Sequence, residues 1–353
     1  MTFADFTRGT ASVRVLVAFG QEHGLAPAAL LAGSRLSLAQ LVDPNVELSA
    51  AQELAVIGNL VRLLKRPAGL GFLAGARYHF STYGIWGYGV VSSPTAADAL
   101  ALALRFLPLT YAFARIGYHE AGESGVIRFG EPEVAPELRR FLVERDMAAA
   151  AVLLREVAGT GFSLSRFTLA CAPGELLKLA PELERIFGLR PEFGAAANSL
   201  AFERAFLGRP LPQADPATFS MCRQMCSQLL ERRRSRLGTA ALVGQYLGAG
   251  ADAAPTLAQL ARRMNTSERT LKRRLKDEGT TFRAIRAESR RALATELLSD
   301  DSRSLTDIAE TLGFSDLSSF SQAFKRWYGM APSKFRSAGG YRALPGHGGP
   351  CPA

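Results

Sequence analysis

One pattern of apolar residues occurs twice between Thr256 and Arg336, and it restricts the fold of this chain more than any other feature. In each copy the apolar residues recur at i, i+3, i+4 and i+7, the spacing of one face of a helix. They are Leu257, Leu260, Ala261 and Met264 in the first copy, and Leu305, Ile308, Ala309 and Leu312 in the second. A second amphipathic helix follows each copy, with Leu271 and Leu275, then Phe320 and Phe324, on its inner face. The sequence therefore predicts two helix-turn-helix units in tandem.

Polar residues predict where these helices begin. Thr256 with Gln259, and Ser304 with Asp307, have the spacing of a capping box, in which each side chain bonds to the backbone N–H of the other residue. Ser267 can cap the second helix of the first unit. Corresponding core residues lie 48 residues apart before the turn and 49 after it. Because the two copies keep this register, one duplicated unit explains the pattern better than two unrelated helix pairs.

The second helix of each unit carries polar side chains on the face opposite its apolar residues. That face has Arg269, Lys272, Arg273 and Lys276 in the first unit, and Ser318, Ser319, Gln322 and Arg326 in the second. Arg and Lys can bind guanine edges and phosphates in the major groove, and hydroxyl and amide groups can bind base edges or phosphate oxygens. The predicted partner is therefore double-stranded DNA, bound in its major groove. The alternative is a solvated basic surface without a partner, which fits a single helix better than a duplicated unit.

A long helix is predicted between the two units. Its apolar residues are Phe282, Ile285, Leu293 and Leu297, which mark about 17 residues and hence ~26 Å. A spacer of this length can hold two recognition helices roughly one duplex turn, ~34 Å, apart on one face of DNA.

These residues resemble the DNA-binding domain of the AraC/XylS family of bacterial transcription regulators. The likeness covers 256–336 and is most specific in LTDIAETLGFSDLSSFSQAFKRWYG; in GMAPSKFR, the family's closing signature is matched by Gly329, Pro332, Phe335 and Arg336. By position in the motif, family contacts in the major groove correspond to Arg269, Lys272, Arg273, Ser318, Ser319 and Gln322. At position 269 many members have an aromatic or small polar residue instead of Arg. The resemblance implies a sequence-specific transcription regulator, an activator that works with RNA polymerase and binds DNA as a homodimer.

The charge distribution fits a nucleic-acid partner for the C-terminal part only. Of the net charge of +10, residues 231–353 contribute +9 and residues 1–230 only +1. Such local basicity is the electrostatic footprint of a DNA-binding domain, and an almost neutral first part does not fit a general membrane-surface role. No apolar run approaches the ~18 residues of a membrane span, and the first residues show no signal-peptide pattern. We therefore expect a cytoplasmic protein without a membrane partner.

The first 210 residues predict an α+β domain. Apolar stripes and caps indicate helices within 11–65, one of them capped by Ser49 with Gln52, and a further helix opening at Ser93 and Pro94. From Tyr111 the sequence alternates around EAGES, which predicts a β-hairpin. Helices near 137–158 and 174–187, a strand near 164–170 and a last strand pair at 193 and 200–202 complete a small, mainly antiparallel sheet.

This first half resembles the N-terminal effector domain of one branch of the same family, the arabinose-binding type. The likeness lies in GLAPAALLAG, ELSAAQEL and YGIWGYGVVSSPTAADAL. It implies a domain that binds a small-molecule effector or mediates association. Candidate wall residues of an effector pocket are His79, Tyr83, Trp86 and Tyr88, because an aromatic wall with a few polar groups suits a small ligand. The alternative is that these aromatic residues fill a core around close-packed glycines.

The predicted boundaries divide the chain into five parts. Residues 1–210 form the effector and association domain, 211–237 a connecting helix, 238–255 a linker that includes GAGADAAP, 256–337 the DNA-binding domain, and 338–353 a disordered tail. The connecting helix carries an apolar stripe of Phe219, Cys222, Cys226, Leu229 and Leu230. This stripe can pair with a second chain or pack on its own domain.

No catalytic or metal motif is present in the sequence. The four cysteines and four histidines form no metal-binding pattern, because no His is near Cys222 and Cys226, the one pair that lies a helical turn apart. Some proteins with this DNA-binding fold are alkyl-transfer DNA repair enzymes. Those enzymes are typified by clustered zinc-binding cysteines ahead of the helix-turn-helix, and this chain lacks such a cluster. A DNA-bending protein would not need the α+β half. We expect no enzymatic activity and no cofactor.

Overall fold

The computed structural model describes residues 7–65, 67–236, 238–248, 255–264, 266–298 and 303–337. These residues form two units that are divided between Arg233 and Arg234. The N-terminal unit combines helices with a five-stranded sheet, and the described part of the C-terminal unit consists of helices and their connections. The predicted fold class, an α+β domain followed by an all-α domain, is confirmed.

The N-terminal unit begins with a layer of helices. Its elements are β1 (Arg8–Gly9), α1 (Ala11–Glu22), α2 (Pro27–Leu31), α3 (Leu38–Val42), β2 (Glu47–Leu48), α4 (Ala50–Leu63), α5 (Leu70–Gly75), α6 (Ile85–Val91) and α7 (Ala96–Arg105). Helix α4 begins where predicted, because the hydroxyl of Ser49 accepts the Gln52 N–H at 3.3 Å and the Gln52 side chain accepts the Ser49 N–H at 3.0 Å. Helix α7 begins later than predicted. Its cap is Thr95, whose hydroxyl accepts the N–H of Asp98 at 3.2 Å, whereas the hydroxyl of Ser93 donates to the carbonyl oxygen of Gly89 at 2.8 Å.

A five-stranded sheet and two helices form the second layer of this unit. They are β3 (Arg115–Ala121), β4 (Ser124–Gly130), α8 (Pro136–Ala158), β5 (Arg166–Leu169), α9 (Ala180–Phe187), β6 (Glu192–Phe193) and β7 (Asn198–Glu203). The strand order is β3-β4-β7-β5-β6, antiparallel except for β5 and β6. The predicted last strand pair is wrong, because β5 lies between β6 and β7. The buried Phe167 of β5 faces Leu200 of β7 in register and so occupies the edge that β6 was expected to take.

Helices α5 and α8 approach each other unusually closely. A β-carbon at Gly71 would collide with the carbonyl oxygen of Phe141, and one at Gly75 with the carbonyl oxygen of Arg145. The two glycines therefore let the α5 backbone lie against the α8 backbone. This contact fixes α8, which supplies side chains to the sheet core and to the buried charges described below.

The C-terminal half follows the tandem pattern. Its helices are α10 (Pro216–Arg236), which crosses the division between the units, α11 (Thr239–Gly248), α12 (Leu257–Arg263), α13 (Glu268–Asp277), α14 (Phe282–Leu298), α15 (Leu305–Thr311), α16 (Leu317–Tyr328) and α17 (Pro332–Ser337). Both predicted capping boxes are present, at Thr256 with Gln259 and at Ser304 with Asp307. The spacer α14 has the predicted 17 residues. Its first half packs into the core of α12 and α13, and its second half into that of α15 and α16.

The segment expected to be a linker contains a helix. Val243 and Leu247 of α11 are buried against Leu260, Leu271 and Leu275. The carboxylate of Glu278 accepts the backbone N–H groups of Thr239 at 2.6 Å and Ala240 at 2.7 Å, and so caps the start of α11. The linker prediction is corrected for 239–248, because contacts distant in sequence stabilise a segment whose composition indicated a loop. The remaining linker residues 249–254 and the tail 338–353 lie outside the described residues.

Candidate nucleic-acid interface and effector cavity

Helix α13 presents its basic residues together on an exposed face. The hydroxyl of Ser267 accepts the N–H of Thr270 at 3.1 Å and starts the helix as predicted. Leu271 and Leu275 are buried, which fixes the rotation of the helix about its axis. The four predicted cationic residues are all exposed: Arg269, Lys272, Arg273 and Lys276. This arrangement gives one contiguous cationic surface on which four side chains are free to reach a polyanion.

Helix α16 presents a less charged face. Its buried residues include Phe320 and Phe324, and the exposed residues on the other side include Ser318, Gln322 and Arg326. Ser319 is half-buried, and its hydroxyl donates to the Asp316 carboxylate at 3.1 Å. Among the predicted contact residues, Ser319 therefore has its hydroxyl proton already engaged, although its oxygen can still accept a bond.

Sequence reasoning missed the residue that begins α16. Asp316 is the cap, and its carboxylate accepts the backbone N–H of Ser319 at 2.7 Å. That bond and the hydroxyls of Ser315 and Ser319 hold the pKa of Asp316 below its usual value, so the carboxylate stays ionised. The available signal was an Asp three residues before a polar helical residue, which is the spacing of an N-cap.

A second missed residue is Arg290 of the spacer α14. Its guanidinium donates to the carbonyl oxygen of Gly313 at 3.2 Å and lies 5.3 Å from the ring centroid of Phe314. Burial and the nearby charge of Arg286 lower the pKa of Arg290. Because Gly313 and Phe314 form the turn between α15 and α16, Arg290 ties the spacer to the turn that orients α16.

The N-terminal unit contains a cavity of about 140 Å³. It lies among α6, α7, α8, the β3–β4 hairpin and the segment after β7. Its lining residues are Tyr83, Trp86, Val90, Ala96, Ala99, Leu100, Ala103, Leu104, Leu107, Thr110, Ala112, Ile116, Ile127, Asp146, Ala149, Ala150, Leu153, Leu154, Val157, Ala158, Phe162, Phe202, Phe206 and Leu207. The wall is almost entirely apolar, which suits a small ligand with an apolar body.

Two of the four predicted pocket residues line this cavity. Trp86 and Val90 lie one helical turn apart on α6 and face it together, whereas Tyr88 lies between them in sequence and is 49% exposed. His79 precedes α6 and is exposed at the surface, where its Nδ1 lies 2.5 Å from a carboxylate oxygen of Glu156. The structure therefore brings Tyr83 and Trp86 into the cavity wall and places His79 and Tyr88 outside it.

The charged group in the cavity wall, Asp146, is fully engaged within the protein. One carboxylate oxygen accepts the Nε and Nη2 groups of Arg145 at 2.9 and 2.7 Å. The other accepts the backbone N–H groups of Phe113 at 2.8 Å and Ala114 at 2.7 Å. Four bonds occupy the roughly four acceptor positions of a carboxylate. Asp146 thus fixes the start of the hairpin rather than offering a free charge.

A buried ionic network lies behind Asp146. The carboxylate of Glu53, which is 0% exposed, accepts bonds from Arg8 at 3.2 Å, Arg145 at 3.3 Å and the Ser12 hydroxyl at 2.5 Å. Burial opposes the charge of Arg145, but Asp146, Tyr78 and Glu53 outweigh it and raise its pKa. These contacts join β1, α1, α4 and α8, so we assign the network a structural role.

The described residues contain neither a metal-binding cluster nor a membrane-spanning helix. No group of three or more His, Cys, Asp or Glu side chains there is placed to hold a metal ion. None of the helices in this part of the chain is both long and apolar enough to cross a membrane.

Comparison with known proteins follows the same division of the chain. A family model described as the arabinose-binding domain of AraC transcription regulators, N-terminal, matches residues 24–211, and one described as a helix-turn-helix domain matches 260–338. An uncharacterised HTH-type transcriptional regulator of Mycobacterium tuberculosis is 32% identical, over 93% of this chain and 96% of that protein. The ornithine utilization regulator of Pseudomonas aeruginosa is 31% identical, over 90% of this chain and 92% of that protein. The crystal structure of the transcriptional regulator CdpR from Pseudomonas aeruginosa is 23% identical, with a TM-score of 0.48, and the match covers 93% of this chain and 98% of that chain.

Proposed function

Because this chain belongs to the AraC family of transcription regulators, we propose that it recognises specific DNA sites through α13 and α16 under the control of a small-molecule effector. One observation carries the assignment of the DNA-contacting surface. The four basic side chains of α13 are exposed on one face of the helix, whereas Leu271 and Leu275 on the opposite face are buried in the core. On α16 we assign the corresponding role to Ser318, Ser319, Gln322 and Arg326. The proposed function includes no catalytic step.

The proposal is tested by selecting bound sequences from a random pool of duplex DNA with the full-length chain. We expect an enriched site with two conserved blocks about 10 base pairs apart, because the spacer can separate two recognition helices by roughly one duplex turn. The affinity for this site should be on the order of 10⁻⁸ M or tighter at physiological salt. Equal affinity for the selected site and for random DNA would overturn the proposal of specific recognition.

Effector control is supported by the cavity of the N-terminal unit. The cavity is lined by side chains from several elements, and two of them, Tyr83 and Trp86, were candidate wall residues on sequence grounds alone. A ligand that binds one conformation of this unit more tightly than another would shift the population of the DNA-binding form. Measuring the affinity for the selected site with and without a cavity ligand tests this step.

We also propose that the active form is a homodimer. Met221, Met225 and Leu229 recur at i, i+4 and i+8 on α10 and are exposed by 54%, 43% and 36%. Of the stripe named from the sequence, Cys222, Cys226 and Leu230 are buried against their own unit, whereas Leu229 is exposed and belongs to this second stripe. A second copy of the chain is the occupant that fits the exposed stripe, because pairing two DNA-binding units raises discrimination among many competing genomic sites.

Sedimentation of the full-length chain tests the dimer. Met225→Lys should convert the dimer to a monomer, because it places a charge in the centre of the exposed stripe. Leu177→Lys is the matched control, since Leu177 is also exposed, by 58%, but lies outside α10. A wild-type chain that stays monomeric at micromolar concentration on DNA with two half-sites rules the dimer out.

We further propose that the regulator is an activator that acts in the cytoplasm through contact with RNA polymerase. Family membership supports this proposal. A reporter gene placed behind the selected site should be transcribed more strongly when the full-length chain is present. Lower transcription from that reporter would identify a repressor instead.

A further inference from the structure

We propose that the cavity of the N-terminal unit binds an uncharged, mainly apolar small molecule with one hydrogen-bond acceptor, rather than a sugar, an amino acid or another ion. This inference rests on the proposed effector control and specifies the chemical class of that effector.

The residues that the structure places around the cavity offer a ligand no usable charge. None of the 24 lining residues is Lys, Arg or His, so an anionic ligand has no cationic partner in this part of the chain. The single acidic residue, Asp146, has its acceptor positions filled by Arg145 and two backbone N–H groups. A cationic ligand would have to displace these bonds. Burying an ion without a partner is unfavourable, so both charged classes are excluded.

The wall of the cavity also contains few polar groups. Besides Asp146, the polar side chains of the wall are Tyr83, Trp86 and Thr110. The Thr110 hydroxyl already donates to the carbonyl oxygen of Leu107 at 2.7 Å and accepts the N–H of Ala112 at 3.2 Å. A sugar carries a hydroxyl on nearly every carbon, and most of these would be left without partners here.

Two hydrogen-bond donors of the wall residues remain. The buried indole N–H of Trp86 has no hydrogen-bond partner within the described residues. The Tyr83 hydroxyl is the second donor among the wall residues. Burial raises the pKa of Tyr83 well above its usual value, so the hydroxyl keeps its proton and can donate. Two donors and no free cation favour a neutral acceptor on the ligand, such as a ketone or ester carbonyl.

The size of the cavity is consistent with a ligand that has a single ring or a short chain. Its volume of about 140 Å³ is close to that of an apolar protein cavity, ~150 Å³, that holds benzene. The rings of Tyr83 and Trp86, with centroids 5.1 Å apart, provide an aromatic wall against which such a group can pack.

Calorimetric titration of the full-length chain with probes of similar shape tests the inference. Acetophenone is the neutral acceptor, toluene lacks the acceptor, benzoate and benzylamine carry opposite charges, and L-arabinose and L-ornithine represent polar effectors. We expect acetophenone to bind at least tenfold more tightly than the charged and polar probes. Tyr83→Phe should weaken acetophenone binding about threefold to tenfold and leave toluene binding unchanged, since it removes one hydrogen bond. Tyr88→Phe is the control, because Tyr88 lies outside the cavity.

A cavity-filling variant tests the location. Ala103→Phe should reduce the binding of both acetophenone and toluene at least tenfold, because Ala103 lines the cavity, whereas Ala101→Phe at an exposed position of α7 should not. Binding of benzoate, L-arabinose or L-ornithine as tight as that of acetophenone would overturn the ligand class and leave effector control intact. Acetophenone binding that survives Ala103→Phe, or no binding of acetophenone and toluene at millimolar concentration, would overturn the site. Binding of acetophenone without any change in DNA affinity would instead contradict effector control by this class and leave the binding inference standing.

Discussion

Two exposed side chains, Arg273 of α13 and Gln322 of α16, have hydrogen-bonding groups that can distinguish one base from another. Arg can bond to two acceptors of guanine, and Gln to one acceptor and one donor of adenine. We expect Arg273→Ala or Gln322→Ala to weaken binding to the selected site by about 1–3 kcal/mol and to leave non-specific binding nearly unchanged. Competition binding with the selected site and with random DNA measures both quantities.

The control for these variants is Arg166→Ala, which removes an exposed Arg from the N-terminal unit. It should leave both affinities unchanged. If Arg273→Ala weakens binding to the selected site and to random DNA equally, then Arg273 contacts phosphate and does not read a base.

Glu278 is a residue whose effect should depend on pH. Partial burial opposes its charge, but the N–H groups of Ala240 and Thr239 outweigh this and lower the pKa of Glu278. A lowered pKa in the folded state means that the carboxylate stabilises α11 above its unfolded pKa of about 4.3, and that this contribution is lost as the pH falls through the folded value. Glu278→Ala should therefore cost about 1 kcal/mol near neutral pH, typical of a lost helix cap, and nothing in acid.

Hydrogen exchange of the 239–248 segment measures this effect. Near pH 7 the variant should exchange about fivefold faster than the wild type, and the ratio should approach one as the pH falls below the folded pKa of Glu278. The neighbouring exposed carboxylate provides the control variant Asp277→Ala, with unchanged exchange in the segment. A ratio that is the same at every pH would show that Glu278 acts by packing and not by its charge.

Among whole elements, the close contact of α5 with α8 allows a clear prediction. Gly75→Ala should lower the free energy of unfolding of the N-terminal unit by about 1–3 kcal/mol or more, because the added methyl group meets the backbone of α8 and not a movable side chain. Gly58→Ala within α4 is the matched control. It has no atom within 4 Å of the added carbon, so it should stabilise the helix by roughly 0.5–1 kcal/mol. Thermal unfolding that responds equally to both substitutions would contradict this account of the contact.

The helices that the sequence predicted accurately are those with local signals. The capping boxes at Thr256 and Ser304 depend on residues three positions apart, and the spacing of apolar residues in α12 and α15 fixes their buried faces. Helix α11 was missed because its stabilising partners are distant. Its cap comes from Glu278, 39 residues from Thr239, and its buried face is visible only once α13 and α14 are in place. The pairing of β5 with β7 was missed for the same reason.

At the scale of the whole molecule, the packing of α11 against α12 and α13 leads us to propose that the DNA-binding domain begins at Gly238 and not at Thr256. We expect a fragment of residues 238–337 to fold and bind DNA alone, because its two cores are formed from its own helices. A fragment of residues 256–337 should fail to fold its first half, because it lacks the buried Val243 and Leu247. Circular dichroism and DNA binding at low salt compare the two fragments. Equal helix content and equal DNA affinity would show that the domain begins at Thr256.

The cavity of the N-terminal unit could be predicted only in part from the sequence. Tyr83 and Trp86 belong to one aromatic segment of the sequence, and that segment predicted them as wall residues of a pocket. Its other walls come from α7, α8, the β3–β4 hairpin and the segment after β7, and no local pattern indicates that these elements meet. The hydrogen bonds that occupy the Asp146 carboxylate could not be predicted either, because two of them come from Phe113 and Ala114, over 30 residues away in sequence.

The two helix-turn-helix units have separate cores, one around Leu260 and Leu271 and the other around Ile308 and Phe320. We therefore expect a substitution that loosens one core to leave intact the packing of α13 or α16 in the other unit. In evolution, such a protein can change its preference for one half of its operator while keeping the other half as an anchor. After gene duplication, we expect the sequence preference of one copy to change first for a single half of the operator. New regulatory circuits can then arise without an intermediate protein that no longer binds DNA.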